Sequence, residues 1–148
     1  PQNAAVVAPS PTAEQGAAAY ARAKGALEEG RTADGVAALR QAADLGHAPA
    51  QLHLANLYET GESGVARNPA EARKWTERAA RAGERRAMHN LGLLYFEGQG
   101  GPKNVGLAAQ WFRRAAELGL VDSQYNLGLV HEKGFGVTRN PAEAYKWY

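Results

Sequence analysis

Apolar residues recur along this chain with the spacing of one helical face. Ala50, Leu54 and Tyr58 stand at i, i+4 and i+8, and Ala87, Leu91 and Tyr95 repeat this spacing. The segment 123–134 aligns with both segments. A repeat close to 3.6 residues places such side chains on one face of an α-helix. We therefore predict an amphipathic helix at each of the three places.

A segment that predicts the start of a second helix occurs twice in the sequence. It reads VARNPAEARKW at 65–75 and VTRNPAEAYKW at 137–147. Asn68 and Asn140 can cap a helix through the side-chain oxygen, and the proline that follows suits the first helical position. Glu71, three residues after Asn68, predicts a capping box.

These features repeat with a period of about 36 residues. Trp75, Trp111 and Trp147 are each 36 residues apart, and Gly83 and Gly119 show the same separation. A sustained period of this length indicates stacked supersecondary units. We predict an all-α fold, an α-solenoid of helix–loop–helix repeats. Because the tryptophans share one repeat position, core packing is favoured over a ladder that stacks on carbohydrate.

One inner position of the first helix carries a small residue in every repeat. It is Ala55, then Gly92, then Gly128. Glycine inside a helix costs about 1 kcal/mol relative to alanine. We expect the compensation to be close approach of the partner helix, where no Cβ fits.

These motifs resemble the Sel1-like repeat family, a relative of the tetratricopeptide repeat. Residues 87–119 and 123–148 follow the family pattern closely, and 50–83 follow it with Ala55 in place of the inner glycine. The resemblance implies a right-handed solenoid that acts as a non-enzymatic scaffold for protein partners. It also implies a unit organisation, with boundaries as follows: a disordered linker at 1–11, an atypical tetratricopeptide-like unit at 12–46, and repeats at 47–83, 84–119 and 120–148, the last truncated in its second helix.

Two expectations concern the ends of the chain. Thr12 and Gln15 predict a capping box at the start of the first unit. Tyr148 falls inside a predicted helix, so we expect either further chain beyond it or another molecule packed on this end.

Three segments also resemble the periplasmic repeat region of alphaproteobacterial polar localisation factors. They are AMHNLGLLYFEGQGG, AAQWFRRAAELGLVDSQYNLGL and NPAEAYKWY. This resemblance implies a periplasmic domain of a single-pass inner-membrane protein at the cell pole, with membrane contact only through other parts of the parent protein. It implies partners such as a signalling kinase or a polar-organelle protein. The alternative is a module that binds peptidoglycan, either its glycan or its peptide.

The composition argues against several kinds of partner, metal site and catalytic site. The net charge of +2 and the absence of a basic run with interleaved aromatics do not favour nucleic acid as a partner. The chain has no cysteine, which excludes thiolate metal sites and cysteine nucleophiles. Its four histidines form no metal-binding pair on one helix, and no catalytic pattern of carboxylates or Ser/His/Asp is visible. We predict no enzyme activity, no cofactor and no metal.

The candidate partner-binding residues lie on the first helices, which face the concave side of a helical solenoid. Asparagine suits peptide binding because its amide both donates and accepts hydrogen bonds. The predicted groove residues are His53, Asn56, His89, Asn90, Tyr125 and Asn126. An equally weighted alternative is that Asn90 and Asn126 tie adjacent helices together.

A second candidate surface is a basic cluster that spans the end of one repeat and the start of the next. Its members are Arg78, Arg81, Arg85 and Arg86. Such a cluster can attract an acidic protein. A solvated surface is the more common role of such residues, and it is the interpretation we favour.

Overall fold

The structure is a computed structural model, and it describes residues 10–135 and 139–147. These ranges contain eight helices and no strand. In chain order the helices are α1 (Pro11–Glu28), α2 (Thr32–Asp44), α3 (Ala48–Thr60), α4 (Pro69–Arg81), α5 (Arg85–Glu97), α6 (Val105–Glu117), α7 (Val121–Lys133) and α8 (Pro141–Trp147).

Each helix packs against the helices that precede and follow it in the chain. The helix pairs therefore stack in sequence order, as in a repeat protein. The predicted all-α class and the helix–loop–helix unit are confirmed. We call α1, α3, α5 and α7 the first helices, and α2, α4, α6 and α8 the second helices.

The second helices begin as the sequence predicts, with one difference. The Oδ1 atoms of Asn68, Asn104 and Asn140 accept a hydrogen bond from the backbone N–H three residues later, at 3.2, 3.0 and 3.1 Å. The other half of the predicted capping box is wrong. The backbone N–H of Asn68 donates to the Tyr58 carbonyl at 2.8 Å, and that of Asn104 donates to the Tyr95 carbonyl at 2.8 Å. The end of each loop is thus tied to the first helix of its own repeat.

Helix α1 starts earlier than predicted. Ser10 is its N-cap, with Oγ accepting from the Ala13 N–H at 3.1 Å, and Pro11 follows in the first turn. The cap predicted at Thr12 is therefore wrong, and Pro11 belongs to a helix and not to a linker. Serine followed by proline is itself a strong start signal, because proline needs no backbone partner there. The rest of the predicted linker, residues 1–9, lies outside the described residues.

The close helix approach predicted at the inner glycine is confirmed in the second repeat. A Cβ atom on Gly92 would lie 2.6 Å from Cε1 of Phe112 on α6. Protein interiors are packed at crystal-like density, so an added methyl group there forces a neighbour to move.

The core runs along the stack between first and second helices. Its largest fully buried apolar side chains come from four successive helix pairs: Leu39, Leu54, Leu91 and Leu127. Burial of one leucine contributes about 1.5–3 kcal/mol. Trp75 and Trp111 are 6% and 8% exposed, which confirms the core interpretation for both, and Trp147 is half-buried.

Arg73 is a core residue that the sequence pattern did not predict. It lies on α4, yet its guanidinium donates to three backbone carbonyls of the next repeat: Leu94 at 2.9 Å, Gln99 at 2.8 Å and Pro102 at 2.9 Å. The group also lies 4.5 Å from the centre of the Tyr95 ring. Arg73 thereby holds the loop between α5 and α6 against the preceding repeat.

Candidate protein-interaction site

Two adjoining hollows lie along the first helices. The larger, of about 200 Å³, is formed where α5, α6 and α7 meet. It is mostly apolar, and its walls are Leu93, Phe96, Glu97, Phe112, Asn126, Leu129, Val130 and Phe135. The side chains of Phe96 and Phe135 meet edge to face, with ring centres 5.7 Å apart.

The second hollow, of about 140 Å³, is polar and lies between α3 and α5. Its walls are Glu59, Asn90, Leu93, Leu94, Glu97 and Gln99. The two hollows share Leu93 and Glu97 as a common wall, so they lie side by side across three first helices. We call the two hollows together the first-helix groove.

The predicted asparagines are brought to this groove. Asn90 lines the polar hollow, Asn126 lines the apolar one, and both are half-buried. Neither side-chain amide is bonded to another described residue. In the described ranges, no hydrogen bond therefore supports the alternative that these two asparagines tie adjacent helices together.

His89, a predicted groove residue, lines neither hollow and is buried. It is 6% exposed, and its Nδ1 is hydrogen-bonded to Ser123 Oγ on α7 at 2.7 Å. Its ring also lies 5.6 Å from that of Phe112. Burial, with a smaller contribution from Arg86, lowers the pKa of His89. The residue joins α5 to α7 as a neutral imidazole at neutral pH.

The other three predicted residues line neither hollow. His53 is half-buried and hydrogen-bonded through Nδ1 to the hydroxyl of Tyr20 on α1, at 3.3 Å, and burial lowers the pKa of His53. Asn56 is exposed on α3. Tyr125 is 57% exposed on α7. These residues lie on the first helices as expected, but only the asparagines at 90 and 126 reach the groove.

The basic cluster is engaged with its own surroundings. Arg78 covers the face of the Trp75 ring at 4.6 Å, and Arg81 pairs with Glu77 at 2.9 Å. Both contacts lie within α4, where residues three or four apart are neighbours.

The other two arginines of the cluster reach across to the next repeat. Arg85 donates to the Leu118 carbonyl at 3.2 Å, and Arg86 pairs with Asp122 at 3.2 Å. All four arginines are thus held by contacts within the protein, and the cluster stabilises the surface between repeats.

The sequence pattern missed most of the groove. The main apolar stripe of α5 contains Leu91 and Tyr95, whereas Leu93 and Phe96 form a second stripe beside it. A helix that is apolar over more than one face packs on more than one neighbour or keeps exposed apolar surface. That second stripe was the signal available for the groove. Glu59 and Glu97 gave no such signal, because each stands at a helix end where glutamate is common on protein surfaces.

In the described ranges, no three His, Cys, Asp or Glu residues lie close enough together to hold a metal ion. None of the helices in those ranges is both long and apolar enough to cross a membrane.

Comparison with known sequences identifies the repeat. The sequence model of the Sel1 repeat matches residues 48–84, 85–120 and 121–148, which together make up more than half of the chain. The chain belongs to the Sel1 repeat family. Sel1 repeats mediate protein–protein interactions, and the family is typically non-enzymatic. The groove on the first helices is therefore a feature of a protein-interaction fold.

Two curated relatives are alike in name and in the extent of the match. Both are called Localization factor PodJL, from the NA1000 and ATCC 19089 strains of Caulobacter vibrioides, and each is 51% identical over 70 residues. The match covers 47% of this chain and 7% of the relative. The matched segment is thus a small part of the relative's length.

Solved structures agree with the fold. A Sel1 repeat protein from Oxalobacter formigenes superposes with a TM-score of 0.70 at 38% identity, over 76% of this chain and 84% of that one. A protective antigen of uropathogenic Escherichia coli that displays an SLR fold gives 0.78 at 32% identity, over 95% of this chain and 32% of that one. The predicted right-handed solenoid of Sel1 repeats is confirmed.

Proposed function

We propose that this Sel1 repeat array is the interaction region of a bacterial localisation factor and that it recruits other proteins to one place in the cell. The observation that carries the proposal is the 51% identity with Localization factor PodJL over 70 residues.

The groove supports a binding role. It combines apolar walls with two asparagine amides and two carboxylates, and it lies along helices that support one another through their buried faces. Clefts of mainly apolar character with a few convergent polar groups are the usual form of binding sites. Such a groove needs no reactive group in order to hold a protein segment.

The finer part of the proposal concerns place and partners. We propose that the array faces the periplasm at the cell pole, as part of a membrane-anchored parent protein. Its partners there are a signalling kinase and proteins that build polar organelles. The support is the resemblance of the repeat segments to polar localisation factors, together with the PodJL match.

Site-specific photo-crosslinking in the native host tests this function. The crosslinking residue replaces Asn126 in the groove, and the control replaces Lys74, which is exposed on the second helix α4. We expect a discrete protein adduct from position 126 and none from position 74, with the captured protein identified by mass spectrometry as a polar signalling or organelle protein. Equal capture at both positions, or none at either, would contradict the proposal.

One observation favours a second candidate, the binding of cell-wall glycan. Tyr125 is a large aromatic that is 57% exposed on a first helix, and exposed aromatic faces are suited to stacking on sugar rings. Adducts from position 126 to wall material alone, together with loss of sacculus binding in Tyr125→Ala, would favour this candidate over the protein scaffold.

A further inference from the structure

The two charged residues on the walls of the first-helix groove are both acidic, and one cation stands nearby: Arg67 lines a third hollow that shares Glu59, Leu94 and Gln99 with the polar one. The two acidic residues are Glu59 and Glu97, and both are exposed. Neither carboxylate is paired with another described residue. Arg67, on the loop beside Glu59, uses its Nε to donate to the Glu59 backbone carbonyl at 3.1 Å, and it forms no ion pair with that carboxylate.

Some exposed carboxylates outside the groove do form ion pairs. Glu77 and Asp122 are paired with arginines at 2.9 and 3.2 Å. Glu97 has no such partner, and no cation is among the residues that line either hollow, so the low-dielectric walls of the cleft focus a negative potential there. The groove is thus complementary in charge to a cationic partner.

The apolar hollow limits the size of what it can accept. Its volume of about 200 Å³ is below the roughly 300–1,000 Å³ of typical small-molecule pockets. The hollow therefore suits one large side chain, such as phenylalanine or leucine. Glu97 lies on its rim, which places a carboxylate directly beside the apolar contact.

Asn90 and Asn126 indicate the conformation of the occupant. Their amides can each donate and accept a hydrogen bond, and they occupy the same repeat position on α5 and α7. A helix already uses its own backbone N–H and C=O groups, whereas an extended segment leaves them available. The two amides therefore fit the backbone of an extended chain.

From these observations we propose that the first-helix groove binds an extended protein segment in which a large apolar side chain is flanked by lysine or arginine. The apolar side chain enters the hollow between α5 and α7, the cation lies against Glu97 and Glu59, and the backbone bonds to the two asparagines. The inference rests on the proposed interaction function and specifies the chemistry of the partner.

Fluorescence anisotropy on the 148-residue chain tests this specificity. The probe is a short fluorescein-labelled Gly/Ser peptide with a central Lys-Phe-Lys, and the comparison peptides carry Glu-Phe-Glu or Lys-Ser-Lys. We expect saturable binding of the Lys-Phe-Lys peptide, and about tenfold weaker binding of both others. Exchanging two attractive charge pairs for two repulsive ones, or removing one buried aromatic ring, should each reach the roughly 1.4 kcal/mol that a tenfold change requires. Binding of the first peptide should also weaken as salt is raised.

Matched variants locate the effect. Glu59→Gln with Glu97→Gln should weaken the binding of the Lys-Phe-Lys peptide about tenfold, whereas Glu28→Gln with Glu117→Gln, an equal change at two exposed carboxylates outside the groove, should leave it unchanged. All four side chains are exposed, so thermal unfolding should confirm that each variant is folded. The inference is overturned if the three peptides bind alike, if none binds up to about 1 mM, or if the groove variant equals the control.

The outcome separates this inference from the function it rests on. Capture of a polar protein at position 126 without any preference for the cationic peptide would retain the interaction function and remove the proposed partner chemistry. Failure of capture together with failure of peptide binding would remove both.

Discussion

The first and second Sel1 repeats share a backbone but lock their helices in different ways. In the first repeat, α4 carries Arg73, whose guanidinium binds three carbonyls of the following repeat. In the second repeat, Ala109 holds that place on α6 and is 3% exposed. There the contact between helices is made by Phe112, whose ring lies directly over Gly92.

The inner small residue changes together with its neighbour. Ala55 of the first repeat corresponds to Gly92, and Thr76 corresponds to Phe112. Thr76 is buried and donates its hydroxyl to the Ala72 carbonyl at 2.7 Å. The lesson is that the repeat tolerates variation in coupled sets: glycine accompanies the large ring, and alanine accompanies the small hydroxyl side chain.

Among the substitutions that test this comparison, Arg73→Ala should have the largest effect on stability. We expect a loss of about 3 kcal/mol in the free energy of unfolding, because hydrogen bonds from a charged donor contribute about 1.5–3 kcal/mol each and do not add fully. Urea unfolding followed by circular dichroism measures it. The control is Lys74→Ala, whose exposed ion pair with Glu71 spans 3.9 Å and is worth under about 1 kcal/mol. Equal effects of the two substitutions would show that Arg73 does not clamp the loop.

Gly92→Ala tests the aromatic contact in the second repeat. Alanine gains about 1 kcal/mol of helix propensity, but the clash with three atoms of the buried Phe112 ring should cost more, for a net loss of about 1–2 kcal/mol. In a Phe112→Thr background, which imitates the first repeat, the same substitution should be neutral or stabilising. A double-mutant cycle by thermal unfolding measures this coupling. Additive effects would mean that glycine and ring are independent.

The buried His89 predicts a pH dependence. Its folded pKa is lowered, so the unfolded chain binds more protons once the pH falls below the unfolded value of about 6.5. The contribution of neutral His89 to stability is complete above about pH 6.5. It is lost as the pH falls from that value through the lower pKa of the folded state. The loss should stay under about 1.4 kcal/mol per pH unit, the limit for one proton.

Urea unfolding at a series of pH values measures this contribution. His89→Asn should flatten the profile below pH 6.5 relative to the parent chain. An unchanged slope in this variant would assign the pH dependence to the other histidines, His47, His53 and His131, whose pKa values burial also lowers.

The two repeats should differ least in the stability that their asparagine helix caps contribute. Asn68→Ala and Asn104→Ala should each cost about 1 kcal/mol, because both side chains cap their helix with bonds of 3.2 and 3.0 Å. Equal losses of stability, measured by thermal unfolding, would show that the two repeats share the same helix cap although their side-chain contacts differ. A cap effect confined to one repeat would contradict this view.

Local and periodic features were predictable from the sequence. The 36-residue period, the asparagine caps at 68 and 140, and the small residue at 92 each follow from interactions within one repeat or from its recurrence. The asparagines at 90 and 126 were also placed on the correct helices. Such features are visible because they depend on neighbours a few residues away, or because they must recur whenever the unit stacks.

Apart from the cap at Thr12 and the second half of the capping box, the failures concern contacts between repeats. His89 was expected in the groove but is buried against Ser123 and Phe112, because α6 and α7 cover its side of α5. Arg73 looked like one more charged residue of α4 until the loop after α5 surrounded it. Periodicity shows which face of a helix is apolar, but not how far the next repeat extends over its edges.

By itself, the sequence determined the family, the all-helical solenoid, the asparagine caps at 68 and 140 and the core tryptophans at 75 and 111, since these depend on local bonding and on a hydrophobic period. The tertiary structure alone decided that Glu59 and Glu97 share the polar hollow and that Leu93, Phe96 and Leu129 line the apolar hollow beside it. The physical reason is that a groove consists of the space left between neighbouring helices. Its contents depend on how closely the helices pack, and that distance is set by pairs such as Gly92 and Phe112, which are distant in sequence.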